Sequence, residues 1–176
     1  MNNNKLEHIA IILDGNKRWA KKNNLNNIDG YSKGFKNIEN FVKYSLNKRL
    51  SNLTIFTLSS ENFKRSSINI IYQIIYDNFN NIFNELVKNN GVKVKIFGLR
   101  ENLPTKIINI FNKIETDSSK NDKLNLNIAF NYGFKDEIKH IFNKIKNNDF
   151  NHNFENEKNI RSLFYLGNLP DPDLLI

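Results

Sequence analysis

An α/β fold on a largely parallel central sheet is what this chain predicts, and three observations carry the prediction. Short apolar runs alternate with longer stretches of helical spacing along the whole sequence. The apolar runs are nearly continuous, as in strands covered by helices on both faces. Neither an internal repeat nor a Pro/Gly-rich linker interrupts the chain, whose 3 Pro and 7 Gly are too few for a tethered pair of domains. A single domain over residues 1–176, with helices flanking the sheet, follows from connection rules for such patterns.

The elements come in this order. Residues 8–13 form the first strand, and a short helix is expected over residues 17–22. Phe35, Ile38, Phe41, Val42, Ser45 and Leu46 keep helical spacing, giving a helix over 34–50. Residues 53–58 are a second strand. The clearest stripe, Ile68, Ile71, Tyr72, Ile75, Phe79, Ile82, Phe83 and Leu86, marks a helix over 68–88. Gly91 suits a helix C-cap ahead of a third strand at 92–97. Pro104 opens a helix to 115, residues 124–130 make a fourth strand, and 134–145 and 157–163 are helical. Residues 173–176 begin a fifth strand. The Asn-rich stretches 23–27 and 147–159 read as polar loops.

Bulk properties narrow the function classes. The chain has no Cys, which excludes disulfides and thiolate metal sites. No apolar run approaches the roughly 20 residues that span a bilayer, and the start lacks a signal-peptide core. A cytoplasmic protein is the expectation. The net charge is +8, but Asn, Lys, Ile and Phe are all over-used and A/T-rich codons encode all four. The Lys excess therefore needs no nucleic-acid partner, and no Lys/Arg block with interleaved aromatics is present. His8, His140 and His152 lie too far apart to suggest a metal trio.

In open parallel sheets ligands bind beyond the C-terminal strand ends. The first strand runs into HIAIILDGNKRW. Asp14 should emerge at the sheet edge, Gly15 permits a tight turn, and Asn16 is a favourable N-cap. The free N–H groups of the following turn, with Lys17 and Arg18, make an anion site, and Arg18 can grip phosphate oxygens with a planar fork. A carboxylate beside phosphate implies an intervening cation, so Asp14 suggests Mg²⁺. The plain alternative is an Asp-Gly turn with a solvated Asp14 and a core Trp19. The second strand runs into SSENFKR. Here Ser59 or Ser60 could simply cap a turn. The functional alternative sets Ser59, Ser60 and Asn62 near a diphosphate, Phe63 against a substrate chain, and Arg65 as a second phosphate ligand.

Together these segments resemble the cis-prenyltransferase family, typified by undecaprenyl diphosphate synthase. HIAIILDGNKRWAKK is similar to its first signature, LTIFTLSSENFKRS to the second, LNLNIAFNYGFKDEI to a third, and PDPDLLI to the lead-in of a fourth. The four are collinear from His8 to Ile176. The resemblance implies condensation of isopentenyl diphosphate onto an allylic diphosphate such as farnesyl diphosphate, giving a polyprenyl diphosphate with Mg²⁺ as cofactor. It implies a homodimer and peripheral membrane contact through the product. Asp14 would be the metal-linked catalytic carboxylate. Gly15, Asn16, Lys17 and Arg18 would hold the allylic diphosphate, with Trp19 beside it. Ser59 and Asn62 would assist condensation and proton removal, and Glu61, Phe63 and Arg65 would complete that wall. Stripes on the helices at 34–50 and 68–88 would line an apolar tunnel.

The chain departs from the family pattern at several positions. Lys17 stands where the family has Gly. Asn27 and Tyr31 stand where it has an Arg and a His of the substrate site. Phe63 stands for a Trp, Ser66 for a Pro, Asn69 for a common Glu, and Phe134 for a second Gly. PDPDLLI ends the sequence where the family continues into an Arg-containing segment. The expectation is a domain truncated at its C-terminal end. The alternative function is an inactive relative that binds prenyl diphosphates or serves as a partner subunit.

Overall fold

The computed structural model describes residues 6–63, 67–82, 87, 90–147 and 156–176. Among the described residues the elements are, in order, β1 (His8–Ile12), α1 (Asn16–Lys22), α2 (Asn27–Asn47), β2 (Asn52–Ser59), a 3-10 turn (Ser60–Asn62), α3 (Ile68–Ile82), β3 (Val92–Phe97), α4 (Thr105–Ser118), β4 (Leu124–Tyr132), α5 (Phe134–Lys146), α6 (Glu157–Arg161) and β5 (Leu174–Leu175). The strands form one sheet in the order β3-β4-β2-β1-β5, and every pairing is parallel. The predicted α/β class and the five strands are as expected.

Alternation along each strand divides the sheet into two unlike faces. Ile9 and Ile11 of β1, Leu53 and Ile55 of β2, Val92 and Val94 of β3, and Leu124 and Leu126 of β4 all belong to one buried cluster. Val42 of α2, Tyr72 of α3, and Ile107 and Phe111 of α4 pack with them. The opposite face is not the second apolar face expected. It carries His8, Asn52, Thr54, Asn125 and Asn127, which bond across the strands. His8 Nε2 lies 2.7 Å from Thr54 Oγ1, and Asn125 Nδ2 donates to Asn52 Oδ1 at 3.1 Å. These groups are satisfied, so their burial is tolerated. α5 and residues 161–171 cover this face. Buried Glu137 accepts from the Tyr132 hydroxyl and from the Tyr165 amide, both at 2.6 Å. Burial first, and then Glu137, push the Tyr132 phenol well above its usual range.

Several boundaries differ from expectation, three of them at helix starts. α2 starts at Asn27 because Asn26 caps it. The Asn26 side chain accepts from the Asp29 amide and the Asp29 carboxylate accepts from the Asn26 amide, a reciprocal capping box inside what reads as a polar loop. Gly15, not Asn16, occupies the N-cap of α1. Pro104 sits at the N-cap of α4, one residue outside the helix. The tail of the α3 stripe, Phe83 and Leu86, lies outside the described residues, as does His152.

The Pro-Asp-Pro-Asp stretch fastens β5. Asp173 accepts from the amides of Glu7 and His8 at 2.8 and 2.9 Å, His8 Nδ1 donates to the Pro170 carbonyl, and Asp171 pairs with Arg161 at 2.7 Å. The bonds from His8 and Glu7 hold the Asp173 carboxyl below its ordinary 3.8, and the Arg161 bond does the same for Asp171. A depressed carboxyl stabilises fully above its unfolded pKa and stops doing so as pH falls through the folded one. Asp173→Ala should therefore lower the urea midpoint at neutral pH. It should also flatten part of the stability loss seen between about pH 5 and pH 2. Equilibrium unfolding of both proteins across that range tests this.

Candidate functional site

β1 ends opposite Phe56, and β2 runs three residues further, to Ser59. The Leu13 amide donates to the Phe56 carbonyl at 3.0 Å, one residue past the last strand residue of β1. The chain then turns at Gly15, whose φ of +87° is the left-handed conformation that glycine adopts without strain. That turn points α1 away from the sheet and leaves Asp14 and Arg18 at the edge. Arg18 Nη2 donates to Asp14 Oδ2 at 3.1 Å, and Asp14 Oδ1 accepts from the Gly15 amide. The side chains of Arg18 and Asp14 are 80% and 77% exposed. An ion pair so exposed contributes about 0–1 kcal/mol, so an anion of higher charge can take Arg18 from Asp14 at little cost. α1 is only seven residues long, and the side chains of Lys17 and Arg18 supply the positive charge here.

β2 arrives irregularly. Its register with β4 shifts between Phe56 and Leu58 and again between Leu58 and Ser59. The strand therefore bends, and Thr57 donates its hydroxyl to the Ala129 carbonyl at 2.8 Å. As a result Phe56, Thr57, Leu58 and Ser59 all border one cavity, where a regular strand would present only alternate residues. Ser59 Oγ accepts from the Asn62 amide at 3.1 Å and caps the 3-10 turn, which brings the Asn62 side chain to the cavity.

That cavity has a volume of about 630 Å³. Its mouth carries Asp14, Gly15, Asn16, Lys17, Arg18, Tyr31, Ser59 and Asn62. Its body is apolar. Phe35 and Ile38 come from α2, Ile71, Ile74 and Ile75 from α3, Phe111 and Ile114 from α4, and Ile96, Leu126, Ile128 and Phe130 from the sheet. From the end of β1 to Ile96 on β3 it crosses three strand spacings, about 14 Å. It therefore runs sideways under α2 and α3 on the apolar face. The site is shaped for an amphiphile, with a polar, partly cationic mouth joined to a long apolar hollow.

Eight of the residues singled out from sequence thus meet at the mouth. Others do not line the cavity. Trp19 is 39% exposed on the outside of α1, so it is not the core residue of the plain alternative. Asn27 is exposed on the first turn of α2, and Glu61 is exposed on the 3-10 turn. Ser60 turns its hydroxyl against Gly133, where a Cβ would meet it at 2.4 Å. Phe63 packs on the core cluster. Arg65 lies outside the described residues. Sequence reasoning placed the tunnel walls on α2 and α3 and missed the contribution of α4 and the sheet. Asp14 is the only carboxylate in the lining among the described residues. Among the described residues, no three metal-ligating side chains converge.

A second cavity, of about 390 Å³, lies on the polar face among Phe56, Phe97, Tyr132 and Tyr165. Its charged groups, Glu137, Arg161 and Asp171, already bond within the protein.

The family model of undecaprenyl diphosphate synthases matches residues 12–176. An isoprenyl transferase from Thermotoga maritima is 37% identical over 176 residues, covering 97% of this chain and 74% of its own length. A tritrans,polycis-undecaprenyl-diphosphate synthase (geranylgeranyl-diphosphate specific) from Picrophilus torridus is 32% identical, covering 96% of this chain and 69% of its own. Among solved structures, lavandulyl diphosphate synthase from Lavandula x intermedia, crystallised with dimethylallyl diphosphate, superposes with a TM-score of 0.87 at 24% identity. That match covers 97% of this chain and 76% of the other, and it shows a shared fold.

The lining makes its own prediction. Ile71→Trp should fill part of the hollow without disturbing the sheet. Its affinity for a long straight-chain alcohol should fall about tenfold, equivalent to about 1.4 kcal/mol, or roughly two buried methylenes at about 0.8 kcal/mol each. Calorimetric titration with dodecanol tests it, and unaltered affinity would show that the hollow is not the binding site.

Proposed function

The chain belongs to the undecaprenyl diphosphate synthase family of isoprenyl transferases, and on that premise we propose that it condenses isopentenyl diphosphate onto an allylic diphosphate, farnesyl diphosphate by preference, to give a polyprenyl diphosphate. One observation carries the reading: a cationic mouth at the ends of β1 and β2 opens directly into an apolar hollow on a single face of the sheet. A prenyl diphosphate has the same division into charged head and apolar tail. Burial of a farnesyl tail at about 0.8 kcal/mol per CH₂ is worth on the order of 10 kcal/mol gross. The tail thus supplies much of the binding, and the mouth sets orientation.

The reaction breaks the allylic C–O bond, and the electron pair leaves with the diphosphate. The alkene of isopentenyl diphosphate forms the new C–C bond, and the adduct loses a proton to form the new double bond. Negative charge accumulates on the departing diphosphate, so Arg18, Lys17 and the Asn16 amide stabilise the step in proportion to that charge. Gly15 allows the diphosphate close to the backbone. The Asn62 amide is no base at neutral pH, and in this reading it orients the second substrate with Ser59. Tyr31 borders the same space, where its hydroxyl can hydrogen-bond the substrates. The apolar body excludes water from the reacting carbon.

A single carboxylate at the mouth suits Mg²⁺, which commonly keeps several waters and takes one or two carboxylates together with substrate phosphates. Asp14 would hold it. When bound, Mg²⁺ neutralises diphosphate charge and makes the leaving group better.

Incorporation of labelled isopentenyl diphosphate in the presence of farnesyl diphosphate and Mg²⁺ tests the proposal. Asp14→Ala should lower turnover at least about 10²-fold, the scale for losing a main electrostatic contributor, with an unchanged melting curve because Asp14 is exposed. Chelation of Mg²⁺ should mimic the variant. Equal turnover with and without Asp14 would refute the site assignment.

A further inference from the structure

Gly30 and Gly34, one turn apart on α2, face the first turn of α1, and the two close approaches differ in kind. A Cβ at Gly30 would lie 2.3 Å from the carbonyl oxygen of Asn16, so this glycine sets how near the two helix backbones come. A Cβ at Gly34 would lie 2.4 Å from Asn16 Oδ1 and 2.9 Å from both its Cγ and its Nδ2. Those are the end atoms of one side chain, and they sit far inside the separation of about 3.5–4.0 Å at which non-bonded atoms attract. Asn16 and Gly34 both border the mouth of the cavity. The cap position of α1 is held by Gly15, so the Asn16 amide is not engaged there. Among the described residues no hydrogen bond fixes it. Its orientation is therefore set by shape, and the notch at Gly34 supplies that shape.

We propose that Gly34 is a positioning residue for the diphosphate site: the space left by its missing Cβ lets the Asn16 amide lie back against α2, with its N–H groups directed to a diphosphate oxygen at the mouth. The proposal rests on the diphosphate reading given above. It concerns the head of the ligand alone, since the apolar hollow is built by other residues. Substitution at Gly34 meets only a flexible side-chain end, and Ala is the better helix former. Gly34→Ala is therefore expected to fold, with its melting midpoint held or raised, while the amide is pushed off its seat. Gly30→Ala would strike backbone and is not a usable probe.

The test is a set of titrations on the full chain with Mg²⁺, using farnesyl diphosphate and farnesol, which share a tail and differ in the head. Wild type, Gly34→Ala, Asn16→Ala and the double variant are compared. Gly34→Ala should bind farnesyl diphosphate about tenfold more weakly, as for one lost charge-assisted hydrogen bond, and farnesol as tightly as wild type. Asn16→Ala should do the same. The double variant, in which the new methyl takes the place of the removed amide, should be no worse than Asn16→Ala. If wild type prefers the diphosphate and Gly34→Ala keeps that preference, the positioning role is overturned alone. Equal weakening for both ligands, or losses that add fully in the double variant, also overturns it, because both denote general damage to packing. Wild type that binds the two ligands equally overturns the diphosphate reading and this role with it. Should Gly34→Ala fail to fold, the double variant against Asn16→Ala decides the matter by the same comparison.

Discussion

The amide of Leu13 bonds to the carbonyl of Phe56, and the geometry of the site follows from that alignment. Parallel pairing in the register His8↔Asn52 to Ile12↔Phe56 points both strands the same way, so that residues 13–18 leave β1 beside the last residues of β2, which runs on to Ser59. Residues 14–18 and 57–62 can then converge on one mouth although some forty residues separate them. A slip of one residue would turn every side chain of β1 to the other face. It would place Ile9 and Ile11 among the Asn and Thr side chains and bury His8 against α2. The two unlike faces thus lock the register, and the register holds Asp14 beside Ser59 and Asn62.

The same contrast separates the two cavities chemically. On the polar face, the charged groups are already used: Glu137 by Tyr132 and Tyr165, Arg161 by Asp171. A ligand there would have to break satisfied bonds. On the apolar face, the Arg18–Asp14 pair at the mouth is exposed and weak, and the hollow behind it carries no charged side chain among the described residues. Binding there exchanges a marginal interaction for a strong one. An arrangement of this kind marks a functional site better than cavity size does.

The residues legible in the sequence were those whose signal is local. The turn at Asp14 and Gly15 follows a short apolar strand directly, and no other part of the chain is needed to read it. The strand order and the far wall were not legible. Leu126, Ile128, Phe130 and Phe111 carry the same apolar character whether they line a hollow or fill a core, and periodicity cannot distinguish the two. The early start of α2 was hidden because Asn26 and Asp29 look like ordinary loop residues in an Asn-rich stretch. Only their reciprocal bonds make them a cap. Trp19 misled for a related reason: an aromatic at a motif edge suggests packing, but its place on α1 turns it outward. The polar face was visible as Asn at alternate positions of β4, yet the over-use of Asn throughout the chain masked that alternation.

The interior position of β4 has a consequence for synthesis of the chain. β4 lies between β2 and β3 and pairs with both, and it supplies Leu126, Ile128 and Phe130 to the hollow. α2 and α3 leave the ribosome before it does. At roughly 5–20 residues per second, several seconds pass between the emergence of Ile75 and that of Phe130. Throughout that interval one edge of β2 has no partner and the future lining faces solvent. The nascent chain is thus a stickier object than the finished one, and its solubility during translation rests on whatever shields that half-built hollow until β4 slots in.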